Sequence, residues 1–149
     1  MIVEKLLNNA QRGGFTHKVV LTHADLTETT ANTAQTIELI TTKLGTLVTN
    51  CAMYKPTDFQ DASDAALNTT TISIGDDGST ARYLASTQLN VNGTEIDAFV
   101  DANSVDTMPY VYTSANTIDA TIGSMAAKSI SNVDAGEVWI WLNVVELSE

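Results

Sequence analysis

The stretch from Glu137 to Leu147 reads Glu-Val-Trp-Ile-Trp-Leu-Asn-Val-Val-Glu-Leu and is the most apolar run in the chain. Branched and aromatic side chains pack well on a pleated surface, so this run favours an extended strand. Alternation sends Val138, Ile140, Leu142 and Val144 to one face, and Trp139, Trp141, Asn143 and Val145 to the other. One face is wholly aliphatic, while the other carries both tryptophans of the chain. A strand apolar on both sides needs cover on both. That cover comes from a second sheet with its loops, or from another subunit, so the pattern predicts a central strand in a layered β-protein.

A chain of 149 residues suits one domain and buries roughly 68 to 70% of its unfolded surface. Apolar residues make up 44% and charged residues 17%, against about 25% charged in typical domains. Threonine, serine and asparagine supply the polar surface instead, which suits solvent-facing strands and argues against charged surface helices. The net charge of −11 repels phosphate backbones, so no direct nucleic-acid binding is expected. Residues 1 to 24 hold Lys5, Arg12 and Lys18 against Glu4 alone, a net +2 that leaves −13 for the other 125 residues. A basic leading segment on an acidic body suggests docking on an acidic neighbour. Cys51 is the only cysteine, which excludes an intrachain disulfide, and its strand context predicts a small buried apolar residue. The first residues lack the pattern of a secretory signal, and no window has the roughly 18 apolar residues of a membrane span. The expectation is a protein made and used as a soluble species, with no membrane partner.

Along the chain, residues 1 to 15 read as an N-terminal arm and 16 to 149 as a single β-domain. In the arm, Ile2, Val3, Leu6 and Leu7 have a one-turn helical spacing that Asn8-Asn9 and Gly13-Gly14 break off. Strands are expected over Phe15 to Leu26, Gln35 to Ile40, Thr46 to Tyr54 with Pro56 ending it, and Thr69 to Ile74. Asp58 to Asn68 reads as a helical or looped insertion anchored by Phe59 and Leu67, with Asp58 or Ser63 capping a helix start. Gly75-Asp76-Asp77-Gly78 is a turn, and Arg82-Tyr83-Leu84 opens a connection with one helical turn. Asn92-Gly93 predicts a type I′ hairpin between Gln88 and Val100. Pro109 to Thr113 and Thr117 to Ile122 read as a strand pair. Eight or nine short strands at intervals of roughly 8 to 15 residues predict an all-β, antiparallel β-sandwich, jelly-roll-like or Greek-key.

The chemistry-bearing residues are few. His17 and His23 lie about 20 Å apart along an extended strand, too far to share a metal. Asp58, Asp61 and Asp64 recur every three residues without the spacing of a calcium loop, and read as a solvated acidic loop. Asp76-Asp77-Gly78 is explained by the turn. Asn68-Thr69-Thr70 and Asn92-Gly93-Thr94 fit the glycosylation pattern but read as turn chemistry. No nucleophile elbow, phosphate loop or Cys-His spacing is present, so neither cofactor nor metal is expected and the chain reads as non-enzymatic. Trp139 and Trp141 share a face, as do Tyr110 and Tyr112, which suits a core layer or a subunit interface better than an exposed sugar platform.

Gly45-Thr46-Leu47-Val48, Thr57-Asp58-Phe59-Gln60-Asp61, Ala66-Leu67-Asn68, Thr71-Ile72-Ser73-Ile74-Gly75-Asp76 and Ala81-Arg82-Tyr83-Leu84 together give the middle of the chain a familiar form. It resembles small virion proteins of tailed bacteriophages, of the capsid decoration or cement type. The resemblance implies a structural protein on the outside of a head shell, a partner in the major capsid protein, a homo-oligomer (a dimer or trimer, with the trimer favoured) and location in the virion. On this reading the partner-binding residues are Ile2, Val3, Lys5, Leu6, Leu7, Arg12 and Phe15 of the arm, with Tyr110, Tyr112, Trp139 and Trp141 for self-association. The rival expectations are a tail or baseplate component, a carbohydrate-binding receptor module, and a hydrolase with facing carboxylates.

Overall fold

A computed structural model of the protein describes residues 1–6, 14–90, 108–123 and 126–147. Among these, nine strands are present: β1 (Ile2–Lys5), β2 (His17–Thr22), β3 (Gln35–Thr42), β4 (Thr46–Gln60), β5 (Thr71–Asp76), β6 (Ser79–Gln88), β7 (Tyr110–Val111), β8 (Asn116–Gly123) and β9 (Ala135–Glu146). They form two antiparallel sheets, ordered β1-β2-β9-β4-β7 and β3-β8-β5-β6. The two-sided apolar strand β9 is central, hydrogen-bonded to β2 on one side and β4 on the other. The pairs β2·β9, β3·β8, β4·β7 and β5·β6 nest inside one another, as when a long antiparallel hairpin is wound into two layers. This is a β-sandwich with the jelly-roll-like order that the strand spacing predicts.

The aliphatic side of β9 faces the second sheet. Val138, Ile140 and Leu142 are buried with Val19 and Leu21 of β2, Cys51 and Met53 of β4, and Ile72, Ile74, Ile118 and Ile122 opposite. Burial pushes the Cys51 thiol up to about 12, so it stays protonated in the core.

Several local expectations are corrected. Residues 2 to 5 are extended rather than helical, because the free edge of β2 offers their backbone a ladder, from Ile2 opposite Val20 to Lys5 opposite His17. Strand β4 runs through Pro56 to Gln60, its register shifting between Tyr54 and Thr57, and a bulge is where a residue without an N–H is tolerated. A second irregularity between Val48 and Asn50 interrupts simple alternation, so Val48, Cys51 and Met53 all face the core while Leu47 faces out. Arg82-Tyr83-Leu84 lies within β6, and β7 and β8 belong to different sheets instead of pairing. The Asn92-Gly93 hairpin lies outside the described residues. Phe59 and Leu67 are both buried anchors as expected, but Asp64 is the residue that caps the 3₁₀ turn Ala65–Thr69, accepting from the Ala66 amide at 3.0 Å.

On the outer side of the second sheet, Asp119 stands directly opposite Glu38. It is nearly buried, and burial, with Asp77, Glu38 and Asp76 nearby, raises its carboxyl above the ordinary range although Thr117 donates to it at 3.0 Å. Opposed like charges destabilise by up to about 1 kcal/mol. Asp119→Asn is therefore expected to raise the melting temperature at pH 7. The gain should shrink as the pH falls through the raised pKa, because the wild-type carboxyl then takes up its own proton. Scanning calorimetry at pH 7 and pH 4 checks both.

Candidate interaction surface

The outer side of the first sheet carries the tryptophan face of β9, and register decides its neighbours. Ile2, Val20, Trp139 and Tyr54 form one cross-strand row, and Glu4, Lys18, Trp141 and Ala52 the next. The rings interlock without stacking flat. Trp139 and Trp141 meet edge to face with centroids 6.0 Å apart, and Tyr54 leans on Trp139 at 5.7 Å. Lys18 Nζ sits 3.9 Å above the Trp139 ring and 5.8 Å from that of Trp141, a cation–π arrangement that holds the lysine over the sheet. Trp139 Nε1 donates to Glu137. Both tryptophans are half-buried by these neighbours, while Ile2 is 58% and Tyr54 40% exposed.

The row joins two features that lie far apart in sequence, the leading segment and the tryptophan strand. Ile2, Val3 and Lys5 are exposed on β1. Leu6 is buried, its amide donating to Thr16 O at 2.7 Å, and anchors β1 from beneath. Phe15 is half-buried, and Leu7 and Arg12 lie outside the described residues.

The two tyrosines are placed elsewhere. Tyr112 is 2% exposed, and its hydroxyl accepts from Tyr83 at 2.8 Å. Tyr110 packs edge-on against Tyr112 under the Arg82 guanidinium, 4.0 Å away. Both therefore belong to a polar clamp between the sheets, and neither adds to the outer face. Tyr110 faces inward because it pairs with the core residue Val48, which leaves Val111 as the outward side chain of β7.

Charge isolates the same surface. Lys43, Lys55, Arg82 and Lys128 pair with Glu146, Asp58, Asp76 and Asp64. Among the described residues, Lys5 and Lys18 are the lysine and arginine side chains outside any ion pair, and both stand on the β1–β2 edge. Sequence reading missed Lys18, Val20 and Tyr54, because only strand register brings them beside the tryptophans.

The other candidate groups have local partners. Asp61 accepts from Ser63, Asp64 from Ala66 and Lys128, and Asp58 from Lys55. His17 lies against Thr16, and burial, with Lys5 nearby, lowers its pKa, while His23 is exposed in the turn beyond β2. Among the described residues, no three His, Cys, Asp or Glu side chains converge to hold a metal, and no helix is long and apolar enough to cross a membrane.

No protein-family model matches the sequence, and no curated protein is significantly similar to it. Among solved structures, the chain is similar to one in the acidic stable capsid structure of Helicobacter pylori bacteriophage KHP30. The identity is 16%, the likeness covers 89% of this chain and 94% of that one, and the TM-score is 0.39. A likeness of that size establishes no shared role.

Proposed function

We propose that the chain is a non-catalytic structural protein of a phage virion, a decoration or cement protein that binds the outside of the head shell as a homo-oligomer. One observation carries this reading: β1, β2, β9 and β4 share an apolar, aromatic row beside the two lysines that, among the described residues of an acidic molecule, stand outside any ion pair. Such a surface fits a protein partner that is apolar with an acidic rim, here taken to be the major capsid protein. The sandwich is compatible with that role, since its winding recurs in viral capsid and lectin domains. Each docked subunit supplies a modest affinity, and repetition over a lattice multiplies it.

The carbohydrate alternative fits the geometry less well. A sugar stacks on an open ring face, whereas Lys18 covers Trp139 and the neighbouring rings meet at 86° and 53°. Titration of purified heads into the protein is expected to shift the tryptophan emission to the blue, while simple saccharides leave it unchanged. Quenching by a saccharide with no response to heads would favour the receptor-binding reading. Negative-stain images of labelled particles distinguish head from tail, and label at the tail would move the protein to the baseplate class.

A further inference from the structure

Half of the large exposed apolar side chains among the described residues gather at one corner of the first sheet, away from the tryptophan row. Val111, Leu47 and Val145 lie side by side across β7, β4 and β9. Leu147 donates its amide to Gly45 O at 3.0 Å, which brings it beside Leu44 in the β3–β4 turn. Leu44 is 64%, Leu147 58%, Val111 44% and Val145 38% exposed. Single exposed apolar residues are ordinary, but contiguous ones mark contacts. Flanking this patch along the chain are one cation and one anion, Lys43 and Glu146, with Nζ and Oε1 3.5 Å apart and side chains 69% and 61% exposed.

We infer that this corner is a two-fold contact between copies of the chain. An interface about a two-fold axis uses the same patch twice, so the patch must complement itself. An apolar centre with one positive and one negative group at its rim does so, because Lys43 of each protomer meets Glu146 of the other. Two molecules of net charge −11 repel, and they approach at least cost where the local charge sums to zero. The patch lies towards the far end of β9 from the tryptophan row, at Val145 rather than Trp139, so this contact and the shell-docking surface use different side chains. The inference stands independently of the shell reading and selects the dimer from the two oligomers, dimer and trimer, expected from sequence.

Sedimentation velocity of the full chain over micromolar concentrations tests it. The wild type is expected to show a concentration-dependent dimer, and Leu44→Glu and Val111→Glu each to weaken it by about tenfold or more. Lys43→Glu and Glu146→Lys should weaken it singly, and the double exchange K43E/E146K should restore it. Thermal melts of the variants verify folding, which substitutions at side chains this exposed leave intact. A protein that stays monomeric, a trimer, a dimer indifferent to the glutamates, or a double exchange no better than either single would each overturn the inference. Head binding by monomeric L44E, measured separately, keeps this outcome distinct from failure of the docking proposal.

Discussion

Gly75→Ala is expected to cost about 3 kcal/mol or more, enough to lower the melting temperature by roughly 10 °C or to prevent folding. Gly75 sits where the β5–β6 register shifts between Ile74 and Asp76, and the returning strand crosses directly over it. A Cβ there would lie 2.0 Å from Ser79 O and 2.4 Å from Thr80 C, which are backbone atoms that no rotamer change can move. The hairpin would have to open, and it carries Asp76 and Arg82 of the inter-sheet clamp with it. Gly123→Ala is the control, since its Cβ would stand 3.6 Å from Thr71 Oγ1 in ordinary contact. That variant should melt within a few degrees of the wild type. Equal melting of the two alanine variants would contradict the crossing at Gly75.

The second large effect concerns the clamp itself. The side chain of Asp76 is 1% exposed, receives Arg82 Nε at 2.6 Å on one oxygen, and accepts the Gly78 and Ser79 amides at 2.9 and 3.0 Å on the other. Burial alone would raise this carboxyl, but the Arg82 and Ser79 hydrogen bonds and the guanidinium charge outweigh it and hold the pKa below the ordinary value. Removing one partner of a buried pair costs about 3 to 5 kcal/mol, so Asp76→Ala is expected to lose roughly that much at pH 7. A carboxyl with a depressed folded pKa contributes stability in full above its unfolded value, about 3.9, and loses it as the pH falls through the folded value. The gap between wild type and Asp76→Ala should therefore be constant from pH 7 to about pH 5 and narrow below pH 4. Urea unfolding across that range measures it, and a gap that widened in acid would contradict the clamp. Asp119, raised instead of lowered, acts with the opposite sign and in the window above its unfolded value instead of below it.

Much of the architecture was legible because alternation survives wherever a strand has one buried face. The two-sided pattern of β9 gave its central place, and the alternating isoleucines of β5 and β8 gave the opposite layer. What escaped depends on contacts between distant residues. Ile2, Val3 and Leu6 have helical spacing, and only the vacant edge of β2 makes their segment extended. Arg82 and Tyr83 look unlike a buried strand until Asp76, Tyr110 and Tyr112 are beside them. Pro56 reads as a stop unless a bulge absorbs it. The surface was half legible in the same way: composition singled out Trp139 and Trp141, but Val20, Tyr54 and Lys18 join them through register, and the irregularity near Thr49 turns Leu47 outward toward Val111 and Val145.

The central claim is that the row across β1, β2, β9 and β4 is where the protein meets a shell. Co-sedimentation with purified heads, comparing wild type with Ile2→Glu, Lys18→Glu and a chain lacking residues 2 to 6, tests it most directly. All three variants should bind at least about tenfold more weakly, with the Lys18→Glu loss deepening at low salt as two anionic surfaces face each other unscreened. Folded variants that pellet with heads at wild-type affinity would contradict it.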